Sequence, residues 1–268
     1  SFLLAVIFLV HPINTEAVSY ISAVSDPLFV LFGLFAFYLM VKDKTDWIHF
    51  SLASLFILLS LLTKEAGFLI LLFIFIYHLI FKKREVLSIF LFIAISTGIY
   101  LFLRLIVAQT YFSKAIHYAI IADASLFERL ITIPKIVLFY VYTFLFPINL
   151  SIAQHWIVRS ANLNDFFIPL IIVGIVIAIL LYLGFRFYKN SKKTFQIFIF
   201  FLLWFVLSLG LYLQIFPLDM TVAERWFYLP IIGLLGLIGI IYQFYKSKIE
   251  RFNSILLMGM IFIIVAFS

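Results

Sequence analysis

The stretch FFIPLIIVGIVIAILLYLGFRFY, at residues 166–188, decides the fold class of this chain. It carries one charged residue, Arg186, near its end. It is also long enough to cross a bilayer as a helix, which needs about 20 apolar residues. Similar apolar runs recur along the whole sequence and are separated by short polar stretches. The sequence therefore predicts an all-α fold, a polytopic transmembrane helical bundle whose partner is the lipid bilayer.

The composition excludes a soluble protein. Hydrophobic residues make up 66% of the chain and charged residues 12%, whereas soluble domains have roughly 45–50% and about 25%. We expect a single transmembrane domain over residues 1–268, located in the bacterial inner membrane or the endoplasmic reticulum. Because the sequence starts with Ser1 inside an apolar run, we expect it to be a fragment of a longer polypeptide.

The positions of the basic residues predict the topology. We expect spanning segments at residues 1–10 (cut short), 27–41, 47–63, 66–81, 86–107, 130–147, 166–188, 194–216, 226–245 and 254–268. Lys and Arg favour cytoplasmic loops, and they cluster at Lys42 and Lys44, at Lys82–Arg84, at Lys189, Lys192 and Lys193, and at Lys246, Lys248 and Arg251. These loops are predicted to be cytoplasmic, and the remaining loops face outward.

One predicted segment disturbs this alternation of loops. If residues 130–147 crossed the membrane, the basic cluster at Lys189 would lie outside, and the segment also contains Pro134 and Lys135. We therefore predict that it is re-entrant or lies at the outer interface.

The net charge of +7 does not indicate a nucleic-acid-binding protein. The basic residues form small groups in loops instead of a continuous stripe, so topology explains them better. No cysteine is present, which excludes disulfides and thiolate metal sites.

The first outward cluster reads HPINTEAVSYISAVSDPLF, at residues 11–29. Asp26 before Pro27 is typical of a helix start, where the side chain caps free amides. His11 and Glu16 have no such local role, and an imidazole near a carboxylate can move a proton or hold a divalent metal. His11, Glu16 and Asp26 are therefore catalytic candidates. The alternative is a helix cap at Asp26 and two solvated loop residues.

Two further clusters and one isolated arginine carry candidate substrate-binding residues. Lys64 and Glu65 lie between two short apolar runs, where they could bind a phosphate or simply extend to the membrane surface. Glu224 and Arg225 precede a spanning segment, where an Arg at a helix N-terminus suits an anion; the alternative is a purely structural Glu-Arg pair. Arg104 adds a cation on the same predicted side, and we expect the three cations and several acids to surround one outward cavity.

These residues favour an enzyme that takes a lipid phosphate from the bilayer and modifies an acceptor outside it. Group transfer from a phosphate also requires a carboxylate to take the acceptor's proton. Glu16, Asp26, Glu65 and Glu224 are the available acids, and their spacing does not choose among them. A transporter or flippase for a lipid-linked or anionic substrate is the alternative, and a membrane scaffold without chemistry is the third possibility.

The first cluster, the run LLSLLTKEAGFLIL, the run FPINLS and the run VAERWFYLP together resemble the membrane region of the transmembrane and tetratricopeptide-repeat O-mannosyltransferases and their bacterial relatives. The resemblance implies a type C glycosyltransferase fold and a polyprenyl-phosphate sugar as donor. The sugar is mannose in the eukaryotic members, and the acceptor is a protein hydroxyl on the lumenal or extracytoplasmic face.

The resemblance also implies a C-terminal tetratricopeptide-repeat array and a catalytic acid in the first outward loop, which would precede residue 1. Donor-site roles carry over by motif position to Lys64, Glu224 and Arg225. The chain has Asn14 where the family commonly has a second His, and Ser25 where it has an Arg. We therefore do not assign mannose from the sequence.

Overall fold

A computed structural model describes residues 2–42, 47–109, 120–148 and 150–246 of the chain. These residues are mostly helical, and among them the only β-pairing is one isolated bridge between Gln154 and Val222. The α-helices are α1 (Phe2–Val10), α2 (Thr15–Ser19), α3 (Ser25–Val41), α4 (Trp47–Thr63), α5 (Phe68–Phe81), α6 (Val86–Phe102), α7 (Leu126–Leu145), α8 (Ile168–Asn190), α9 (Lys192–Gly210) and α10 (Pro230–Lys246).

The structure confirms an all-α, polytopic membrane protein. Four helical stretches of the described residues are long and apolar enough to cross a membrane: Ile21–Val41, Lys83–Val107, Leu163–Asn190 and Lys192–Gly210. A fifth span results if Phe2–Val10 and Pro12–Ser19, which are bent by 54°, form one broken crossing. The predicted segment 254–268 lies outside the described residues.

The predicted segment 194–216 extends beyond the C-terminal end of the helix that the structure shows. Helix α9 stops at Gly210, and Gln214 in the following loop takes a φ of 61°. The Gln214 side chain explains this turn, because its amide donates to the carbonyls of Met220 and Thr221 and its oxygen accepts from the Leu218 amide. The helix ends where side-chain bonds to the backbone replace the helical ones.

Residues 130–147, predicted to be re-entrant or interfacial, lie mostly in helix α7. It is one continuous helix that includes Pro134, and Ser125 caps its start in a reciprocal capping box with Glu128. The re-entrant alternative is wrong because the chain does not turn back within this helix. Helix α7 is not among the stretches apolar enough to span, and its interfacial placement stays a prediction.

The chain divides into two compact units, which we describe separately. The first, the 20–114 unit, contains α3 to α6. Here Lys82 donates to the carbonyls of Val41 and Lys42 at 3.0 and 2.7 Å, so two of the basic loops lie at the same end. The Ser60 hydroxyl donates to the Phe29 carbonyl at 2.8 Å and joins α4 to α3. Since the four helices alternate in direction, Asp26, Lys64 and Arg104 lie at the opposite end.

The second unit, residues 1–19 with 115–268, contains α1, α2 and α7 to α10. Helices α9 and α10 pack closely, because Gly233 of α10 lies against the backbone of Phe205. The α8–α9 connection carries Lys189 and Lys192, and α10 returns to that end at Lys246. The start of α10 therefore lies at the other end of this unit, together with Glu224 and Arg225.

Candidate functional site

The structure distributes the predicted site residues evenly between the two units. Asp26, Lys64, Glu65 and Arg104 lie in the 20–114 unit, and His11, Glu16, Glu224 and Arg225 lie in the other unit. In each unit they occupy the helix ends opposite the lysine-rich connections. One cavity surrounded by all the clusters stays a prediction.

Glu16 and Arg225 form a partly buried ion pair, although 209 positions separate them in sequence. Glu16 lies on α2, and Arg225 lies on the 3-10 turn Glu224–Phe227. One carboxylate oxygen of Glu16 accepts from the Arg225 guanidinium. The other accepts from the Arg225 backbone amide at 2.8 Å. This carboxylate therefore fixes both the side chain and the backbone of Arg225.

Glu224 has a different environment from Glu16. It is 3% exposed, and its carboxylate accepts a hydrogen bond from the Ser151 backbone amide. Burial, reinforced by the negative charge of Glu16, raises the pKa of Glu224 to about 7 from an ordinary value of 4.5, against the opposing effect of the Ser151 bond. A carboxyl with this pKa exchanges its proton near neutral pH.

Tyr140 of α7 holds the turn that carries Glu224 and Arg225. Its hydroxyl donates to the carbonyl of Ala223 at 3.0 Å, and its ring stacks on Phe227 at a centroid distance of 5.2 Å. Both side chains are fully buried. Tyr140 was not predicted from the sequence, because a tyrosine within a helix gives no signal of its distant partner.

A short backbone pairing positions the Ser151 amide. Gln154 donates to the Val222 carbonyl at 3.0 Å and accepts from the Thr221 amide at 3.0 Å. The Thr221 hydroxyl donates to the Trp156 carbonyl at 2.6 Å. These residues were also not predicted from the sequence, because their partners lie about 65 positions apart.

His11 has a structural role that the sequence did not predict. Its Nδ1 accepts from the Ile13 amide at 3.2 Å and caps the turn Pro12–Asn14. Its Nε2 lies 2.9 Å from the Phe144 carbonyl, so Nε2 carries the proton. The ring also stacks on Phe144 at 4.8 Å. Both nitrogens are therefore engaged with the backbone, and a role of His11 in catalysis stays a prediction.

In the 20–114 unit, Asp26 is buried and accepts from Lys64 Nζ at 2.6 Å. The predicted helix cap at Asp26 is wrong, because α3 begins at Ser25 and Val24 occupies the cap position. Asp26 lies in the first helical turn instead, where the helix dipole favours a negative charge. The Lys64 ammonium also lies 6.0 Å from the centre of the Phe29 ring.

Glu65 and Arg104 form a second ion pair in this unit, at 2.6 Å. The Arg104 guanidinium also donates to the Tyr100 hydroxyl, a contact that the sequence analysis missed. Lys64, Glu65, Tyr100 and Arg104 line a cavity of about 260 Å³ whose other walls are mainly leucines. The structure thus places two cations and one acid around one opening.

Among the described residues, no group of three or more His, Cys, Asp or Glu side chains could hold a metal ion. The divalent metal that the first cluster allows therefore stays a prediction.

Comparison with known proteins finds one distant similarity over most of the chain. No protein-family model matches, and no solved structure matches. The chain is similar to a protein O-mannosyl-transferase of Caenorhabditis elegans, with 28% identity over 260 residues. The match covers 91% of this chain and 34% of the relative, so the chain spans about a third of that protein's length. This similarity, in a chain with membrane-spanning helices, supports the O-mannosyltransferase-like resemblance of the sequence.

Proposed function

We propose that this chain is the membrane region of a glycosyltransferase that moves a sugar from a polyprenyl phosphate to a protein hydroxyl on the extracytoplasmic or lumenal face. The observation that carries the proposal is Arg225, a cation held by a buried carboxylate at the end of its unit opposite the basic connections. The relative's name, protein O-mannosyl-transferase, makes mannose the first sugar to test and supports a protein acceptor.

Arg225 has the chemistry to hold the donor phosphate. A guanidinium has five N–H donors in a planar fork that matches phosphate oxygens. One nitrogen donates to Glu16 and another to the sulfur of Met220. The side chain remains 15% exposed, which leaves an edge for a ligand. Because Glu16 also holds the backbone, Arg225 is positioned before the donor arrives.

Lys64 and Arg104 form a separate cationic site within the 20–114 unit. Lys64 has three ammonium protons, donates to Asp26, and is 25% exposed at the cavity that it lines. Glu65 and Tyr100 hold the Arg104 guanidinium in the wall of the same cavity. An anionic group entering this cavity would meet both cations together.

The catalytic candidates Glu16 and Asp26 each bind a cation. Because each carboxylate is already engaged with a cation, both are better placed to position that cation than to accept the acceptor's proton. The family resemblance implies a catalytic carboxylate in a loop before residue 1, which would act as the base that takes the acceptor's proton. That carboxylate and the tetratricopeptide-repeat array remain part of the proposal.

A transporter or flippase is not favoured. Such proteins place polar groups near the membrane midplane on discontinuous helices. In the described parts of this chain, the ion pairs that involve candidate residues lie at helix ends. This arrangement suits a reaction at the membrane surface.

The test measures binding of radiolabelled polyprenyl-phosphate mannose, with polyprenyl-phosphate glucose as competitor, to the purified protein in detergent. We expect Arg225→Gln combined with Glu16→Gln, which removes both charges of the buried pair, to weaken donor binding at least tenfold while the protein still folds. Arg225→Lys keeps the charge but not the fork, and should have an intermediate effect.

Lys135→Met is the matched control, because Lys135 forms an ion pair with the partly exposed Asp165 in the same unit and is outside the proposed site. Its donor affinity should equal that of the wild type. Wild-type affinity in the folded double variant would refute the role of Arg225. A wild-type protein that binds neither donor would refute the proposed function.

A further inference from the structure

We propose that Glu224 is the proton donor to the phosphate oxygen that leaves the sugar. This inference rests on the proposed function and adds a catalytic residue to it. It assigns to Glu224 a step in the reaction, where the sequence indicated only a substrate-binding role.

Of the four candidate acids, three form ion pairs and Glu224 does not. Glu16 is paired with Arg225, Asp26 with Lys64 and Glu65 with Arg104. Glu224 accepts a hydrogen bond from the Ser151 amide, and no cation lies within ion-pair distance of it among the described residues. The single hydrogen bond from Ser151 compensates only partly for the hydration that the buried Glu224 carboxylate loses. The neutral carboxyl, which has a proton to give, is therefore the favoured form.

Glu224 is also close to the proposed phosphate position. It immediately precedes Arg225 on the turn Glu224–Phe227, which packs against α2 and against the turn Pro12–Asn14. The charge of Glu16 is near enough to act on Glu224. An incoming phosphate would be repelled by a second ionised carboxylate at this position. A neutral Glu224 would instead donate a hydrogen bond to it, next to the Arg225 fork.

The proposed step balances as follows. The acceptor hydroxyl oxygen forms a bond to the anomeric carbon of the sugar while the bond from that carbon to the phosphate oxygen breaks. The electron pair of the broken bond stays on the phosphate oxygen, which takes the proton of Glu224. The acceptor's own proton goes to a carboxylate base, the class of residue expected in the first outward loop. Glu224 then regains a proton from water, and polyprenyl phosphate leaves.

The pKa of Glu224 near 7 suits this role, because a general acid works best when its pKa lies close to the working pH. The Tyr140 hydroxyl holds the backbone of Ala223, the residue before Glu224. The Ser151 amide donates directly to the Glu224 carboxyl oxygen. An acid at this position needs no change in its contacts before the transfer.

The test uses the longer polypeptide that is proposed to carry the carboxylate base, and it measures kcat for sugar transfer and Kd for polyprenyl-phosphate mannose between pH 5.5 and pH 9. For the wild type we expect kcat to fall as pH rises above about 7, because Glu224 loses its proton. Glu224→Gln should lower kcat about 100-fold, the smaller end of the usual range for general acid–base catalysis, and its kcat should lack the alkaline fall. The Kd should change less than threefold, because the glutamine amide still donates a hydrogen bond.

Glu224→Asp retains a carboxyl and should keep the alkaline fall, which a purely structural role would not require. Asp219→Asn removes an exposed carboxyl from the same loop and should leave kcat unchanged. The proposal is overturned if Glu224→Gln keeps the wild-type kcat. It is also overturned if the wild-type kcat falls as pH drops below 7, because that profile would indicate that Glu224 acts as a base. Either result leaves donor binding by Arg225 intact, so it is distinct from failure of the proposed function.

Discussion

The raised pKa of Glu224 predicts a measurable pH dependence of stability. The folded protein has a Glu224 pKa of about 7, against 4.5 for the ordinary carboxyl. Folding therefore favours the protonated form. The stabilisation is fully present below the unfolded pKa of 4.5 and is lost as pH rises through 7. At 1.36 kcal/mol for each pKa unit, the whole effect is about 3 kcal/mol, and most of it falls between pH 5 and pH 8.

The assay compares thermal unfolding of the wild type and Glu224→Gln in the same detergent from pH 5 to pH 8. Glutamine keeps an acceptor for the Ser151 amide but does not titrate, so effects of other groups largely cancel in the difference. At roughly 2–4 °C per kcal/mol for a chain of this size, the wild type should lose about 5–10 °C in Tm relative to the variant. Asp219→Asn, which removes an exposed carboxyl of the same loop, should show no such trend.

A difference between wild type and Glu224→Gln that stays constant over this pH range would refute the reasoning. A wild type that loses Tm relative to Glu224→Gln as pH falls would refute it more strongly, because it would mean that the charged form of Glu224 is stabilised in the folded protein.

Two further predictions concern packing and charge burial. Gly233→Ala places a methyl carbon 2.6 Å from the Phe205 backbone nitrogen and should lower the free energy of unfolding by about 1–3 kcal/mol. The control Gly174→Ala, whose methyl carbon meets nothing within 4 Å, should be neutral or stabilising by up to about 1 kcal/mol. Equal melting temperatures of the two variants would contradict the close approach of α9 and α10. Lys64→Met removes the ammonium beside buried Asp26 and should cost about 3–5 kcal/mol in unfolding free energy. Adding Asp26→Asn should recover most of that loss, and a double variant as unstable as the single one would argue against the pair.

The helices were largely predictable because membrane insertion is a local property. A run of about 20 apolar residues must be helical in a bilayer, since no water satisfies its backbone groups. Segments 47–63 and 86–107 accordingly agree with α4 and with the stretch Lys83–Val107. The errors occur where side chains compete for the backbone. Gln214 ends α9 early, and Ser125 starts a continuous α7.

The candidate residues were predictable as a set but not as pairs. Short charged clusters between apolar helices identify Glu16, Lys64, Glu224 and Arg225 without reference to any contact. The family resemblance then relates them to a phosphate donor. Tyr140 and Ser151 could not be found in this way, because their importance lies in hydrogen bonds to residues 83 and 73 positions further along the chain. Tyr100 lies one helical turn before Arg104, but a tyrosine in an apolar run gives no signal of that bond.

The sequence by itself determined that this protein is a membrane-embedded helical bundle with most of its charge in short clusters between the apolar helices, because hydrophobic length and basic loops act segment by segment. Only the tertiary structure decided which acid meets which cation. Glu16 and Glu224 are both acids in outward clusters, yet the first is bound to Arg225 and the second to a backbone amide. Without a bound cation, burial raises the pKa of Glu224, because the free energy of a buried charge depends on partners that the fold brings together from distant positions.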